Sequence, residues 1–174
     1  MPSAPIITFA YGSNMPTARI TDKTRCPSAK SLGVAELRGY ELRWHKVSSK
    51  DGSAKADIIK TDVKGVSVFG VLYEISPEEK PALNRIEGLG NGYKEVDVVV
   101  LHNGTEATVT AYLATEIDEK LKPYTWYKAL VVFGAKEHEL PEAYIAQIEA
   151  VPAVEDADRA RHNREMRPIT GAQA

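Results

Sequence analysis

The stretch Ile6-Ile7-Thr8-Phe9-Ala10-Tyr11-Gly12-Ser13-Asn14-Met15 (residues 6–15) runs an apolar segment straight into small residues. Residues 6–10 read as a buried strand. After Tyr11 the chain carries Gly12, Ser13 and Asn14 where a bulkier polar turn is commoner. Residues 15–20 are predicted to form a short helix, with Asn14 as its N-cap and Pro16 in the first turn. Two readings of the small residues stand side by side. In the first they only start the helix, Gly12 supplying an awkward backbone angle and Ser13 or Asn14 the cap. In the second, consecutive backbone N–H groups with no partner meet an anion, and small side chains let it approach. The stretch lacks the Gly-Lys-Ser/Thr of a Walker loop and the spaced glycines of a dinucleotide fingerprint. A small carboxylate therefore suits it better than a nucleotide.

Outward from this stretch the pattern alternates strands with helices. Residues 32–37, 40–47, 56–61 and 66–75 read as strands, the last rich in Val, Phe and Tyr. Residues 48–54 form a polar loop. Ser76-Pro77-Glu78-Glu79 predicts a capping box, with Ser76 as N-cap and Glu79 closing it, ahead of a helix ending near Glu87-Gly88. Asn103-Gly104 between residues 94–101 and 106–113 is the strongest hairpin signal. Helices are expected over residues 124–136 and 141–150. In the second of these, Leu140, Tyr144, Ile148 and Val151 recur on one face. The order of antiparallel strands with helices between them implies an α+β fold, its sheet either open or curled into a barrel, in a single domain over residues 1–152. Residues 153–174, poor in apolar side chains, are expected to be a loosely ordered arm.

Composition narrows the function. Of 174 residues, 43% are hydrophobic and 26% charged, and 22 basic side chains face 24 acidic ones. This balance argues against a nucleic-acid partner, which wants a basic face. Cys26 stands alone, which excludes an internal disulfide, and its polar surroundings suggest a bystander thiol. His45, His102, His138 and His162 lack metal-ligand spacing, so no metal and no cofactor is expected. Trp44 and Trp126 read as core or interface aromatics. No run reaches the ~18 apolar residues of a membrane span, and no basic segment precedes an apolar one at the start. The expectation is a protein of the cytoplasm without a membrane partner. A homodimer is an open alternative to the monomer.

The second informative stretch is Leu83-Asn84-Arg85-Ile86-Glu87-Gly88-Leu89-Gly90-Asn91-Gly92-Tyr93. Glu87 ends an amphipathic helix, where a carboxylate opposes the macrodipole by ~0.3–1 kcal/mol. A solvated glutamate before a glycine is the plain reading. A functional carboxylate is the other.

Phe-Ala-Tyr-Gly-Ser-Asn-Met after a first strand, Leu-x-x-x-Glu-Gly in mid-chain, and Tyr127-Lys128, Gly134-Ala135-Lys136-Glu137 and Leu140-Pro141-Glu142-Ala143-Tyr144 downstream occur here in one order. Together they resemble the γ-glutamylcyclotransferase family over residues 6 to about 150. The resemblance implies a small mixed β-barrel with flanking helices and cleavage of γ-glutamyl amides without water, metal or cofactor. The substrate's α-amine attacks its own γ-carbonyl, giving 5-oxoproline and a free amine. It places the general acid/base on Glu87 and substrate binding on Gly12, Ser13, Asn14 and Tyr127, with Tyr11 bordering the pocket. A small-molecule γ-glutamyl compound is the implied partner, and glutathione metabolism the implied setting. The leaving group, an amino acid or a larger amine, stays open. So does a binding protein that has lost turnover, against which the presence of Glu87 counts.

Overall fold

The computed structural model describes residues 3–87 and 92–171. The predicted glycine loop after Glu87 lies outside the described residues. Strands β1 (Ile6–Ala10), β2 (Lys30–Arg38), β5 (Ser67–Ile75), β6 (Tyr93–His102) and β7 (Thr105–Ala114) close into a barrel in the order β1-β5-β2-β6-β7. The barrel is mixed. β1 runs antiparallel to β5 and parallel to β7. β3 (Tyr40–Val47) and β4 (Ala54–Lys60) form a separate two-stranded ribbon. The helices are α1 (Thr17–Ile20), α2 (Lys80–Glu87), α3 (Thr125–Glu137), α4 (Glu142–Glu149), α5 (Arg159–Glu165) and α6 (Arg167–Thr170).

Local chemistry explains most of these boundaries. Asn103 and Gly104 both take positive φ, 49° and 76°, as a two-residue hairpin turn of matching twist demands. β5 reads as an almost continuous apolar run because Val68, Val71, Leu72, Tyr73 and Ile75 are all buried, two faces of one strand being covered. Leu140, Tyr144 and Ile148 supply the buried face of α4, as their helical spacing predicts.

The start of α2 departs from the capping box. A 3₁₀ turn (Pro77–Glu79) precedes the helix, and the Ser76 hydroxyl turns to Glu78 instead of capping a backbone N–H. Glu79 accepts hydrogen bonds from Ser28 N and Oγ, the latter at 2.6 Å. A tertiary partner takes the carboxylate that local sequence assigns to the cap.

The C-terminal segment also differs from a loose arm. Asp156 is 1% exposed and accepts from Arg161 Nε and Nη2 at 2.6 and 2.7 Å and from Trp126 Nε1 at 2.9 Å. The Arg161 hydrogen bonds hold its carboxyl well below the usual range. Asp158 caps α5 by accepting from Arg161 N at 3.0 Å. A buried ion pair orders this segment, not an apolar stripe, which is why hydropathy does not reveal it.

One contact fixes the loop 11–16 against α3. A Cβ on Gly134 would stand 2.5 Å from Met15 Cβ and 2.8 Å from Pro16 Cδ and N, closer than packed carbons come. Gly134→Ala should therefore push α3 from the loop and destabilise the fold by ~1–3 kcal/mol. A lowered urea midpoint at unchanged slope is the expected reading, and a wild-type midpoint would contradict the packing.

Candidate active site

The loop that follows β1 is buttressed from below. The Tyr73 hydroxyl donates to the Met15 carbonyl at 2.6 Å, and His138 Nε2 lies 3.0 Å from both that oxygen and the Tyr73 oxygen. Asn14 is not the cap of α1. The cap position is Pro16, and the first helical N–H, of Thr17, donates to Glu137 Oε1 at 2.8 Å. Gly12 has no left-handed φ, so an awkward backbone angle does not explain it. Close approach does. A Cβ there would meet the Tyr127 hydroxyl oxygen at 3.1 Å and Ala56 Cβ at 3.4 Å.

Freed from capping, Asn14 faces Glu87. Its Nδ2 donates to Glu87 Oε1, while its Oδ1 accepts from Arg25 Nη1 at 3.1 Å. Arg25 thus fixes the amide orientation that presents a donor to the carboxylate. Among the described residues, the N–H groups of Gly12, Ser13 and Asn14 have no hydrogen-bond partner.

Tyr11, Gly12, Ser13, Asn14, Glu87 and Tyr127 all line one cavity of about 340 Å³. The structure brings together the residues that the resemblance assigns to the site. Burial pushes the Glu87 carboxyl up, against the pull of Arg25, then Lys46, Arg19 and Lys50. The tyrosine hydroxyls form a rigid wall. Ala56 N donates to the Tyr127 oxygen at 3.0 Å, and the Tyr93 hydroxyl donates to the Ala56 carbonyl at 2.8 Å. Tyr11 donates to the Tyr112 carbonyl. Burial pushes the Tyr127 hydroxyl up to about 12 and those of Tyr11 and Tyr93 well above the ordinary value, so all three are neutral donors.

Arg25, Lys46 and Lys55 also line the cavity without any signal in the sequence, beside Tyr93 at the end of the second stretch and Trp126, read as a core aromatic. Lys55 Nζ is 3.0 Å from Asp51 Oδ2 and 4.3 and 4.6 Å from the ring centres of Trp126 and Tyr127. Trp126 stacks edge-on to Tyr127 at 6.0 Å, and the C-terminal segment itself supplies Asp158, Arg161, Arg164 and Glu165 to the cavity wall.

The remaining sequence candidates have other partners. Cys26 is buried, and burial pushes its thiol up to about 11. His45 pairs with Asp57 at 2.7 Å, and His102 Nδ1 lies 2.9 Å from the Val34 carbonyl. Among the described residues, no group of His, Cys, Asp and Glu side chains is arranged to hold a metal ion, and no helix is long and apolar enough to cross a membrane.

Comparison with known proteins gives this cavity a family. γ-Glutamylcyclotransferase of Homo sapiens is 33% identical over 147 residues, covering 82% of this chain and 77% of that protein. The chain belongs to the γ-glutamylcyclotransferase family. The Mus musculus protein of that name is 33% identical over 149 residues, covering 82% and 77%. The model of the AIG2-like family matches residues 67–148. A solved structure of a γ-glutamyl cyclotransferase superposes with a TM-score of 0.78 at 28% identity, covering 92% of this chain and 99% of the other. The mixed barrel with flanking helices is therefore the family's fold, and the protein is an enzyme of this type.

Proposed function

We propose that the cavity converts a γ-glutamyl amide to 5-oxoproline and a free amine, with Glu87 as general acid/base. One observation carries this reading: Glu87 lies in the cavity wall, oriented by Asn14 of the small-residue loop, with its carboxyl raised by burial. The substrate's α-ammonium gives a proton to Glu87. The freed nitrogen then bonds to the γ-carbon, the γ-carbon–nitrogen amide bond breaks as Glu87 returns the proton to the departing nitrogen, and the new ring nitrogen gives its surplus proton to the released amine, which leaves as an ammonium. Atoms and charge balance without water or an oxidant. A free Glu, near ~4.3, is a weak base for an ammonium, and a carboxyl raised by burial is a stronger one. Since nucleophile and electrophile belong to one molecule, the protein's task is to fold the substrate into a near-attack shape, worth effective molarities of ~10⁵–10⁸ M.

The N–H groups of Gly12, Ser13 and Asn14 supply donors for either the α-carboxylate or the oxyanion at the γ-carbonyl. Tyr11 and Tyr127 close the walls around the glutamyl chain. A binding protein without turnover needs no half-buried carboxyl held against the loop, so the enzymatic reading is preferred.

The test is 5-oxoproline release across γ-glutamyl amino acids and γ-glutamylamines. Release from at least one series is expected, and binding without release from any would favour the binding protein. Because only a proton moves, exhaustive chelation and Cys26→Ser should each leave turnover within about twofold of wild type, as expected for changes outside the proton path. Loss in either case would point to different chemistry.

A further inference from the structure

We propose that Lys46 is the specificity residue of the cavity, its ammonium holding the α-carboxylate of the γ-glutamyl group. The inference rests on the γ-glutamyl reading above and assigns which part of that substrate meets which group. Lys46 is only 6% exposed, yet it lines the cavity. Its Nζ lies 4.5 Å above the centre of the Tyr93 ring. Among the described residues that nitrogen has no hydrogen bond and no carboxylate within ion-pair distance. An ammonium largely withdrawn from water with no partner carboxylate is unfavourable, and an arriving anion relieves it.

Of the other cations lining the cavity, Lys50 is exposed to solvent, Arg161 pairs with Asp156, Arg164 lies 3.8 Å from Glu165, and the rest are engaged. Arg19 Nη1 is 2.8 Å from Glu165 Oε2, Lys55 Nζ is 3.0 Å from Asp51 Oδ2, and Arg25 donates to Asn14. Gly92, whose φ of 144° favours glycine, lies beside the ammonium. A Cβ there would come within 2.9 Å of Lys46 Nζ.

Charge complementarity identifies the anion. Burial lowers the proton affinity of Lys46, and the carboxylate of Glu87 is the foremost charge opposing that effect. A carboxylate and an ammonium facing one cavity match the α-carbon of a γ-glutamyl group, which bears an ammonium and a carboxylate on one atom. With the ammonium against Glu87, as proton removal requires, the carboxylate is brought to Lys46. The N–H groups of Gly12, Ser13 and Asn14 are then left for the γ-carbonyl oxygen, where backbone donors suit a charge that develops only in the transition state. Lys46 acts in binding and Glu87 in proton transfer.

Lys46→Met keeps the length of the side chain and removes the charge. Two acyl series separate the roles: γ-glutamyl amides, and 4-aminobutanoyl amides of the same amines, which lack the α-carboxylate and cyclise to 2-pyrrolidinone. Lys46→Met should lower kcat/KM on the γ-glutamyl series by about 10–10²-fold, the range for loss of one charged hydrogen bond. The 4-aminobutanoyl series should lose much less, its change reporting only the effect of the missing charge on the Glu87 carboxyl. In titration calorimetry, 5-oxoproline should lose affinity by a similar factor and 2-pyrrolidinone none. An equal loss on both series would overturn the assignment, since a structural role or a general effect on Glu87 makes no such distinction. A loss confined to leaving amines that carry a carboxylate would place Lys46 at the other end of the substrate, and also overturn it. The melting temperature should hold or rise, because an unpaired buried charge has been removed. A fall of several degrees with equal kinetic losses would make Lys46 a support for Tyr93. Wild-type release of 5-oxoproline is the control: its absence removes the γ-glutamyl reading itself, whereas its presence with equal losses removes only the role of Lys46.

Discussion

Glu87→Gln is expected to slow turnover of γ-glutamyl substrates by ~10²–10⁴-fold, the usual loss when a general acid/base is removed. The amide keeps the shape of the side chain and can still accept from Asn14 Nδ2, so the fold and the cavity should persist. The loss should fall on kcat more than on KM, because the missing proton transfer belongs to the chemical step. Glu95→Gln is the control, its carboxylate lying in an ion pair with Lys80 at 2.6 Å outside the cavity wall. Near-wild-type kcat in Glu87→Gln would sink the base assignment. The pH profile carries a second expectation. Burial raises the Glu87 carboxyl, so kcat should fall with decreasing pH along a limb lying above the ordinary carboxylate range of ~4.3.

The same shift has a stability sign. A carboxyl raised in the folded state favours the protonated form there, so its contribution is present below the unfolded value and is lost as pH rises through the raised one. Ligand-free Glu87→Gln should therefore melt at or above wild type near neutrality, with the difference disappearing in acid. Melting scans at the two ends of that range read it directly. A neutral-pH deficit would mean that Glu87 supports the fold as an ion.

Gly12→Val should remove substrate binding with the fold intact. Even the first carbon of a side chain at this position would stand 3.1 Å from the Tyr127 oxygen. That oxygen cannot retreat, being held at 3.0 Å by Ala56 N on β4. The γ-methyls of valine then occupy the approach to the loop N–H groups. A displacement of about 1 Å at a site of this kind can cost 10²-fold, so kcat/KM should drop by ~10²-fold or more. Gly12→Ala should fall between the two. Wild-type kcat/KM in Gly12→Val would return the small residues to a plain helix start.

The first prediction tests a residue whose role was legible only as part of a motif, and the second tests one legible by its size. Local chemistry in the sequence reached far. The Asn103-Gly104 turn, the apolar run of β5 and the buried face of α4 each follow from a periodicity or a turn type written in adjacent residues. Glu87 was marked by standing against the dipole of its own helix. Where the reading failed, a distant partner had outcompeted a local one. Glu79 left its capping box for Ser28, Asn14 left the α1 cap for Glu87 and Arg25, and Asp156 drew the C-terminal segment into order through Arg161 and Trp126.

The sequence by itself determined the elements up to α4, the small-residue loop and the carboxylate, because helix, strand and turn preferences are set by neighbours a few residues apart. Only the tertiary structure decided what faces them. The register between β3 and β4 shifts between Trp44 and Lys46, and this bulge breaks the alternation that would otherwise point consecutive side chains to opposite faces. His45 and Lys46 are buried as a result, at 4% and 6% exposure. An inward lysine on a strand has no mark in a periodicity of two. Its meaning comes from Tyr93 and Glu87, more than forty positions away in the chain and joined to it only when the ribbon folds over the barrel.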